Sequence, residues 1–264
     1  MGRIRSITHP HLPEGYFLYT AKDIPGSKTI SILGTSIPLL ADETVSYQGE
    51  PLGILVGPDK IDLQQLVKEV VIRFHKVEER SLSTEVLEPQ DIIACRTLSD
   101  GGDAELLFAE ADIPLEGSYS SNCYSSQCGE AAGGLALYKG ETLVLYAPVQ
   151  WFSQVRRSIA AGLGILPQQV EIRKTLAAGG RNNSQWYSAI LSAQVAMAAY
   201  LCRKPVRILL TREEQELYYE RPAPVVVNYR SSVAPNGRIL ALIASIVVDT
   251  GIYNPFINDL ISRM

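Results

Sequence analysis

Two stretches of this chain carry residue types and spacings suited to chemistry. Leu176-Ala177-Ala178-Gly179-Gly180-Arg181-Asn182-Asn183 runs from an apolar strand-like segment, Val170 to Lys174, into a long helix pattern that opens near Ser184. Small residues at such a junction let backbone amides approach an anionic group, and the helix N-terminus adds partial positive charge. A tight turn with no ligand fits the same pattern. Upstream, Val149-Gln150-Trp151 stands where a strand hands over to a helix. A glutamine there either caps the helix or faces a ligand, and Trp151-Phe152 supplies an apolar wall in both cases.

Other constellations carry less. His9 and His11 are two ligands at most, and two ligands are not a metal site. His75 is expected at a helix end, capping the C-terminus. Cys123 and Cys128 lack the close partners of an iron–sulfur set, and Cys95 and Cys202 stand apart from them, so semi-buried thiols are expected. Three histidines do not assemble a Ser/His/Asp or Cys/His arrangement, and neither a P-loop nor a full dinucleotide fingerprint is present.

The elements that must position these residues follow from periodicity and punctuation. Thr44 to Val56 reads as a strand pair broken at Gln48-Gly49-Glu50-Pro51. Pro58-Asp59 opens a helix with Leu63, Leu66, Val67, Val70 and Phe74 on one face. Ser81 to Glu116 reads as a linker with a short strand over Ala104 to Ala109. Strands are expected at Thr142–Ala147, Val170–Lys174 and Pro205–Leu210. Helices are expected over Trp151–Leu163, closed by Gly162 and Gly164, and over Ser184–Cys202, apolar all round and therefore buried. Thr211-Arg212-Glu213-Glu214 has capping-box spacing, and Pro235-Asn236-Gly237 joins a hairpin of Ala223–Val233 and Ile239–Asp249. The fold class is mixed α+β, divided as a small α/β domain at 1–80, a linker at 81–116 and a second domain at 117–264. The net charge of −4 gives no reason to expect nucleic acid or an anionic membrane as partner, and no apolar run is long enough to span a bilayer. With no signal-peptide pattern and four scattered cysteines, a cytoplasmic location is expected.

Taken in order, these segments resemble the molybdenum-binding subunit of the xanthine dehydrogenase/aldehyde oxidase family. Ile4-Arg5-Ser6-Ile7, Tyr19 to Gly26 and Val45 to Gly53 resemble successive signatures of that family's "hammerhead" α/β domain. Val149-Gln150, Gln154 to Arg157, Leu163-Gly164, Lys204 to Arg207, Thr211 to Glu214 and Asp249 to Tyr253 match later segments in the family's order. The resemblance implies a molybdenum–pterin (molybdopterin) cofactor and hydroxylation of an aldehyde or N-heterocycle with oxygen from water. It also implies electron exit through iron–sulfur and flavin subunits or domains. By the same resemblance the protein provides no thiolate to the metal, cradling the cofactor with backbone amides and placing side chains around it. Gln150 matches a glutamine that hydrogen-bonds an oxygen ligand of molybdenum, and Ala178, Gly179 and Gly180 align with a glycine-rich loop beside the cofactor.

Departures accompany the likeness. Ala177-Ala178 replace glycines, a central Phe of that loop is missing, and Gln127 stands where the family carries an acidic residue. The family's general-base glutamate falls beyond Met264 and no residue of this chain matches it. The expectation is an N-terminal portion of a longer subunit, inactive alone and prone to self-association, or a non-catalytic relative retained for binding or assembly.

Overall fold

The computed structural model describes residues 2–76, 89–99, 102–109, 113–121, 132–175, 187–218, 223–253, 257 and 261. In chain order, the first elements are β1 (Gly2–Thr8), β2 (Phe17–Thr20), β3 (Thr29–Ile32), β4 (Thr35–Pro38), β5 (Thr44–Val45), β6 (Gly53–Val56), α1 (Lys60–Glu69) and β7 (Val71–Lys76). Next come α2 (Ala104–Ala109), β8 (Ile113–Ser121), β9 (Gly133–Lys139), β10 (Thr142–Ala147), α3 (Phe152–Leu163) and β11 (Val170–Lys174). The chain continues through α4 (Tyr187–Cys202), β12 (Val206–Leu209), α5 (Arg212–Tyr218), β13 (Val225–Val233) and β14 (Ile239–Val248). The class is mixed α+β, as composition and alternation imply. Two compact units result, one from 1–79 with 126–220, the other from 80–125 with 221–264.

In the first unit, a four-stranded sheet in the order β11-β10-β9-β12 forms the centre. Leu143, Val144, Leu145 and Ala147 of β10 have no exposed surface, because helices cover one side of the strand and neighbours flank it. Every residue of α4 from Tyr187 to Ala199 is buried, as its unbroken apolar and small composition requires. Gln194 is the exception in kind. Its Nε2 donates to the Leu39 carbonyl at 2.7 Å, so the one amide side chain in the helix ties it to the N-terminal segment. That segment brings Ile30, Ile32, Ile37 and Leu40 into the core, each at most 1% exposed.

Sequence expectations fail here in three places. The helix opened by Asp59, which accepts from the Ile61 and Asp62 amides, stops at Glu69; Val71–Lys76 is a strand antiparallel to β1. Val70-Val71-Ile72 are consecutive β-branched residues, which favour the strand once β1 offers a partner. Phe74 therefore pairs with Ile4, and His75 lies opposite Arg3 rather than at a helix end. Thr44–Val45 and Gly53–Val56 are strands but do not pair with each other: β5 joins β1 and β6 joins β2.

The second unit holds the third difference. Ala104–Ala109 is a helix, not a strand, because Asp103 Oδ1 accepts from the Glu105 and Leu106 amides ahead of helix-forming residues. The stretch read as a linker thus contains α2 and the start of β8. The sheet order is β14-β13-β8, with the expected hairpin turned at Gly237 (φ +83°). Arg230 on β13 meets Glu105 at 2.5 Å and lies over the Phe108 ring, fixing α2 to one face. On the other face Tyr229 lies across Gly117, where a Cβ would sit 2.6 Å from the ring, and stacks on Tyr119.

Candidate functional site

β10 and β11 are parallel neighbours, in register from Leu143 opposite Val170 to Ala147 opposite Lys174. β9 runs antiparallel to both β10 and β12, so β12 points the same way as β10. Three strands therefore end at one edge of the sheet. From that edge the chain turns into α3, into the 176–186 segment that leads to α4, and into α5. Ligands of open α/β sheets collect at such carboxyl edges, where strand ends meet helix starts.

Gln150 stands on this edge. Val149 before it is fully buried, which anchors the turn, and Gln150 itself is exposed. Its carbonyl accepts from the Phe152 amide at 3.0 Å, while its carboxamide has no hydrogen-bond partner among the described residues. Trp151, at the N-cap of α3, provides no side-chain acceptor to the helix, and Trp151 and Phe152 are half-buried. The carboxamide is thus not the helix cap that sequence left open as one alternative; it faces solvent as a free donor and acceptor. Gly164 ends α3 in the left-handed conformation (φ +66°), whereas Gly162 lies within the last turn of the helix.

Thr175 donates its amide to the Ala147 carbonyl at 3.3 Å, so the chain leaves β11 alongside the turn that carries Gln150. Ala178, Gly179 and Gly180, and likewise Gln127, Cys123 and Cys128, lie outside the described residues. The strand register and the bond from Thr175 place this residue, the entrance to the 176–186 segment, beside Ala147, three residues before Gln150. At the end of β12, Thr211 Oγ1 accepts from the Glu214 amide at 3.2 Å and Glu214 Oε2 accepts from the Thr211 amide at 2.7 Å, the expected capping box.

Charge near the edge is sorted by face. Arg173 donates to Glu171 and to the Tyr146 hydroxyl, on the side away from α4, and this pairing lowers the Glu171 carboxyl below its ordinary value. Lys174, opposite Ala147, belongs to the face on which Gly134 approaches Val195 of α4. Further off, burial raises the Glu50 carboxyl above the usual glutamate range although it accepts from the Ser46 amide. Among the described residues no group of three or more His, Cys, Asp or Glu could hold a metal ion, and Cys95 and Cys202 are free thiols. Sequence reading gave Gln154 only as the start of the Gln154–Arg157 family match, with no role, and passed over Gln194, whose available signal was a lone glutamine within the apolar run of α4.

A parallel strand pair hands over to helices at one edge and leaves an unpartnered carboxamide there, the arrangement at which α/β sheets commonly take ligands. Residues 86–264 match the molybdopterin cofactor-binding domain, and the chain belongs to the molybdopterin-binding xanthine dehydrogenase/aldehyde oxidoreductase family. It is 26% identical over 225 residues to xanthine dehydrogenase/oxidase of Gallus gallus, covering 84% of this chain and 16% of that protein. It is 23% identical over 249 residues to the nicotinate dehydrogenase large molybdopterin subunit of Eubacterium barkeri, covering 91% of this chain and 58% of that one. In fold it resembles the aldehyde oxidoreductase of Desulfovibrio desulfuricans, with a TM-score of 0.79 at 20% identity over 98% of this chain and 31% of that chain. The chain thus spans less than two thirds of each of these relatives. The family match makes the cofactor class a molybdenum–pterin.

Proposed function

We propose that this chain forms one wall of the cofactor site of a molybdenum hydroxylase acting on an aldehyde or N-heterocycle. The observation that carries the reading is the free Gln150 carboxamide at the carboxyl edge from which the 176–186 segment also departs. A carboxamide suits this place chemically, since it donates through Nε2, accepts through Oε1 and stays neutral at every working pH. The bound cofactor supplies the redox and oxygen-transfer chemistry. Gln150 holds an oxygen ligand of the metal by donating a hydrogen bond, and Ala178, Gly179 and Gly180 supply backbone contacts to the pterin. Trp151 and Phe152 line the apolar side of the turn and exclude water from it. Electrons leave through iron–sulfur and flavin partners, and the assembly is cytoplasmic.

In the complete protein, Gln150→Ala lowers turnover about ten- to a hundred-fold without unfolding the chain, the scale of losing one preorganised donor. Unchanged turnover rejects the role of Gln150. The isolated chain self-associates; in support, Leu115, Tyr119, Leu242 and Ile246 are all exposed and share one face of the β14-β13-β8 sheet. A monomer at all concentrations by sedimentation contradicts that. The second reading, a non-catalytic relative, draws on Ala177-Ala178, which stand where the family carries glycine, a residue that tolerates backbone conformations alanine does not. Metal content separates the two.

A further inference from the structure

Hydrogen bonds strap the β3–β4 hairpin and its lead-in along the whole length of α3. At the carboxyl end, Gly26 N donates to Gly162 O and Ser27 N to Ala161 O, both at 2.9 Å. In the middle, Ser31 N donates to Ser158 Oγ at 3.2 Å. At the first turn, Leu33 N donates to Gln154 Oε1 at 3.3 Å. Residues 154, 158 and 161–162 recur at the helical spacing that keeps them on one face. The hairpin tip is a two-residue turn with both central residues left-handed, Leu33 at φ +48° and Gly34 at φ +85°.

The first turn of α3 needs such a hold. Its N-cap, Trp151, offers no side-chain acceptor, and uncapped first turns leave amides unsatisfied and fray. Contact at this end is polar: the cleft between hairpin and helix, about 230 Å³, is lined by Ser31, Gly34, Gln154, Arg157 and Ser158. One side chain can therefore be changed there without opening a hole in the apolar core.

We infer that the hairpin tip positions Gln150. By holding Gln154, four residues downstream, the Leu33 amide fixes the opening turn of α3 and the direction in which the Gln150 carboxamide points. Gln154 is a positioning residue, and the N-terminal segment is part of the site's scaffold. This rests on the reading of Gln150 as a contact to the metal's oxygen ligand.

The test uses the complete, cofactor-loaded protein and three variants, Gln150→Ala, Gln154→Ala and Gln154→Glu. For Gln154→Ala, kcat falls about ten-fold with KM within about two-fold, short of the roughly hundred-fold that a misplacement of about 1 Å can cost. Metal content stays at the wild-type value, and the electron paramagnetic resonance spectrum of the partly reduced metal shifts in the same sense as for Gln150→Ala. Gln154→Glu, which keeps an acceptor for Leu33 N, restores spectrum and turnover. Ser158→Ala loosens the same strap one turn further away and gives a smaller shift in the same sense, which keeps the test open if Gln154→Ala folds poorly. A wild-type spectrum for Gln154→Ala and Ser158→Ala beside a shifted one for Gln150→Ala overturns the inference alone. A wild-type spectrum and turnover for Gln150→Ala overturns the reading beneath it, and the inference with it.

Discussion

Gly26→Ala is the sharpest structural test of the strap along α3. A Cβ at this position would stand 2.1 Å from the Ala161 carbonyl oxygen, and Cβ atoms essentially never approach closer than 3.0 Å. The two backbones must separate by the difference, 0.9 Å, and the obstacle is a helix carbonyl, which has no rotamer to escape into. That displacement stretches the bonds from Gly26 N to Gly162 O and from Ser27 N to Ala161 O, both 2.9 Å, beyond bonding range. Two backbone bonds lost, with their groups only partly rehydrated, amount to about 2–4 kcal/mol. This is a large share of the roughly 5–15 kcal/mol that typically separates folded from unfolded. At about 2–4 °C per kcal/mol for a unit of this size, the unfolding midpoint drops by about 5–15 °C. Both tryptophans, Trp151 and Trp186, belong to the unit that contains the strap, so tryptophan fluorescence follows the relevant transition. Gly140→Ala serves as control, since its Cβ meets nothing within 4 Å and only the left-handed φ of +61° is strained, at a cost of about 1 kcal/mol. A Gly26→Ala midpoint no lower than that of Gly140→Ala refutes the strap.

Three further perturbations follow from the same geometry. Gln194→Leu leaves the buried Leu39 carbonyl without its donor and destabilises the first unit by about 1–3 kcal/mol; an unchanged urea midpoint counts against this link. Leu33→Asn suits the left-handed tip better than leucine and sacrifices no core packing, since Leu33 is 42% exposed. It raises stability by about 0.5–1 kcal/mol, and a lower midpoint contradicts the strain at the tip. Glu50 has a folded-state value raised by burial, so the folded chain binds the extra proton and stability falls as pH climbs from the ordinary value of 4.5 through the raised one. Glu50→Gln removes that slope: the variant gains on the wild type as pH rises toward neutrality and the gain closes below pH 4.5, whereas a pH-independent difference excludes Glu50 as the cause.

Elements with local signals were legible in the sequence. β10, β11 and the β13–β14 hairpin follow from apolar runs with punctuation, α3 from its glycine end, and α4 from an apolar pattern too uniform for a surface helix. Where local pattern and distant pairing compete, pairing wins. The helical stripe of α1 continues formally to Phe74, but β1, some seventy residues earlier, claims 71–76 as its partner. The partners of β5 and β6 were illegible for the same reason. The site divides similarly. Gln150 stands out by family resemblance and by its place between strand and helix, yet only the parallel register of β10 and β11 shows that the entrance to the 176–186 segment lies at the same strand end. The roles of Gln154 and Gln194 were not legible because their partners, Leu33 and Leu39, are 121 and 155 residues away in sequence.

A chain that helps to hold a molybdenum–pterin carries the metal with it. The ratio of molybdenum to polypeptide in the native protein captured from its source cells tests this. A ratio near one molybdenum per chain is expected, with pterin released in the same proportion. A ratio near zero, in cells whose other molybdenum enzymes are loaded, contradicts the claim and leaves a relative that kept the fold and lost the cofactor.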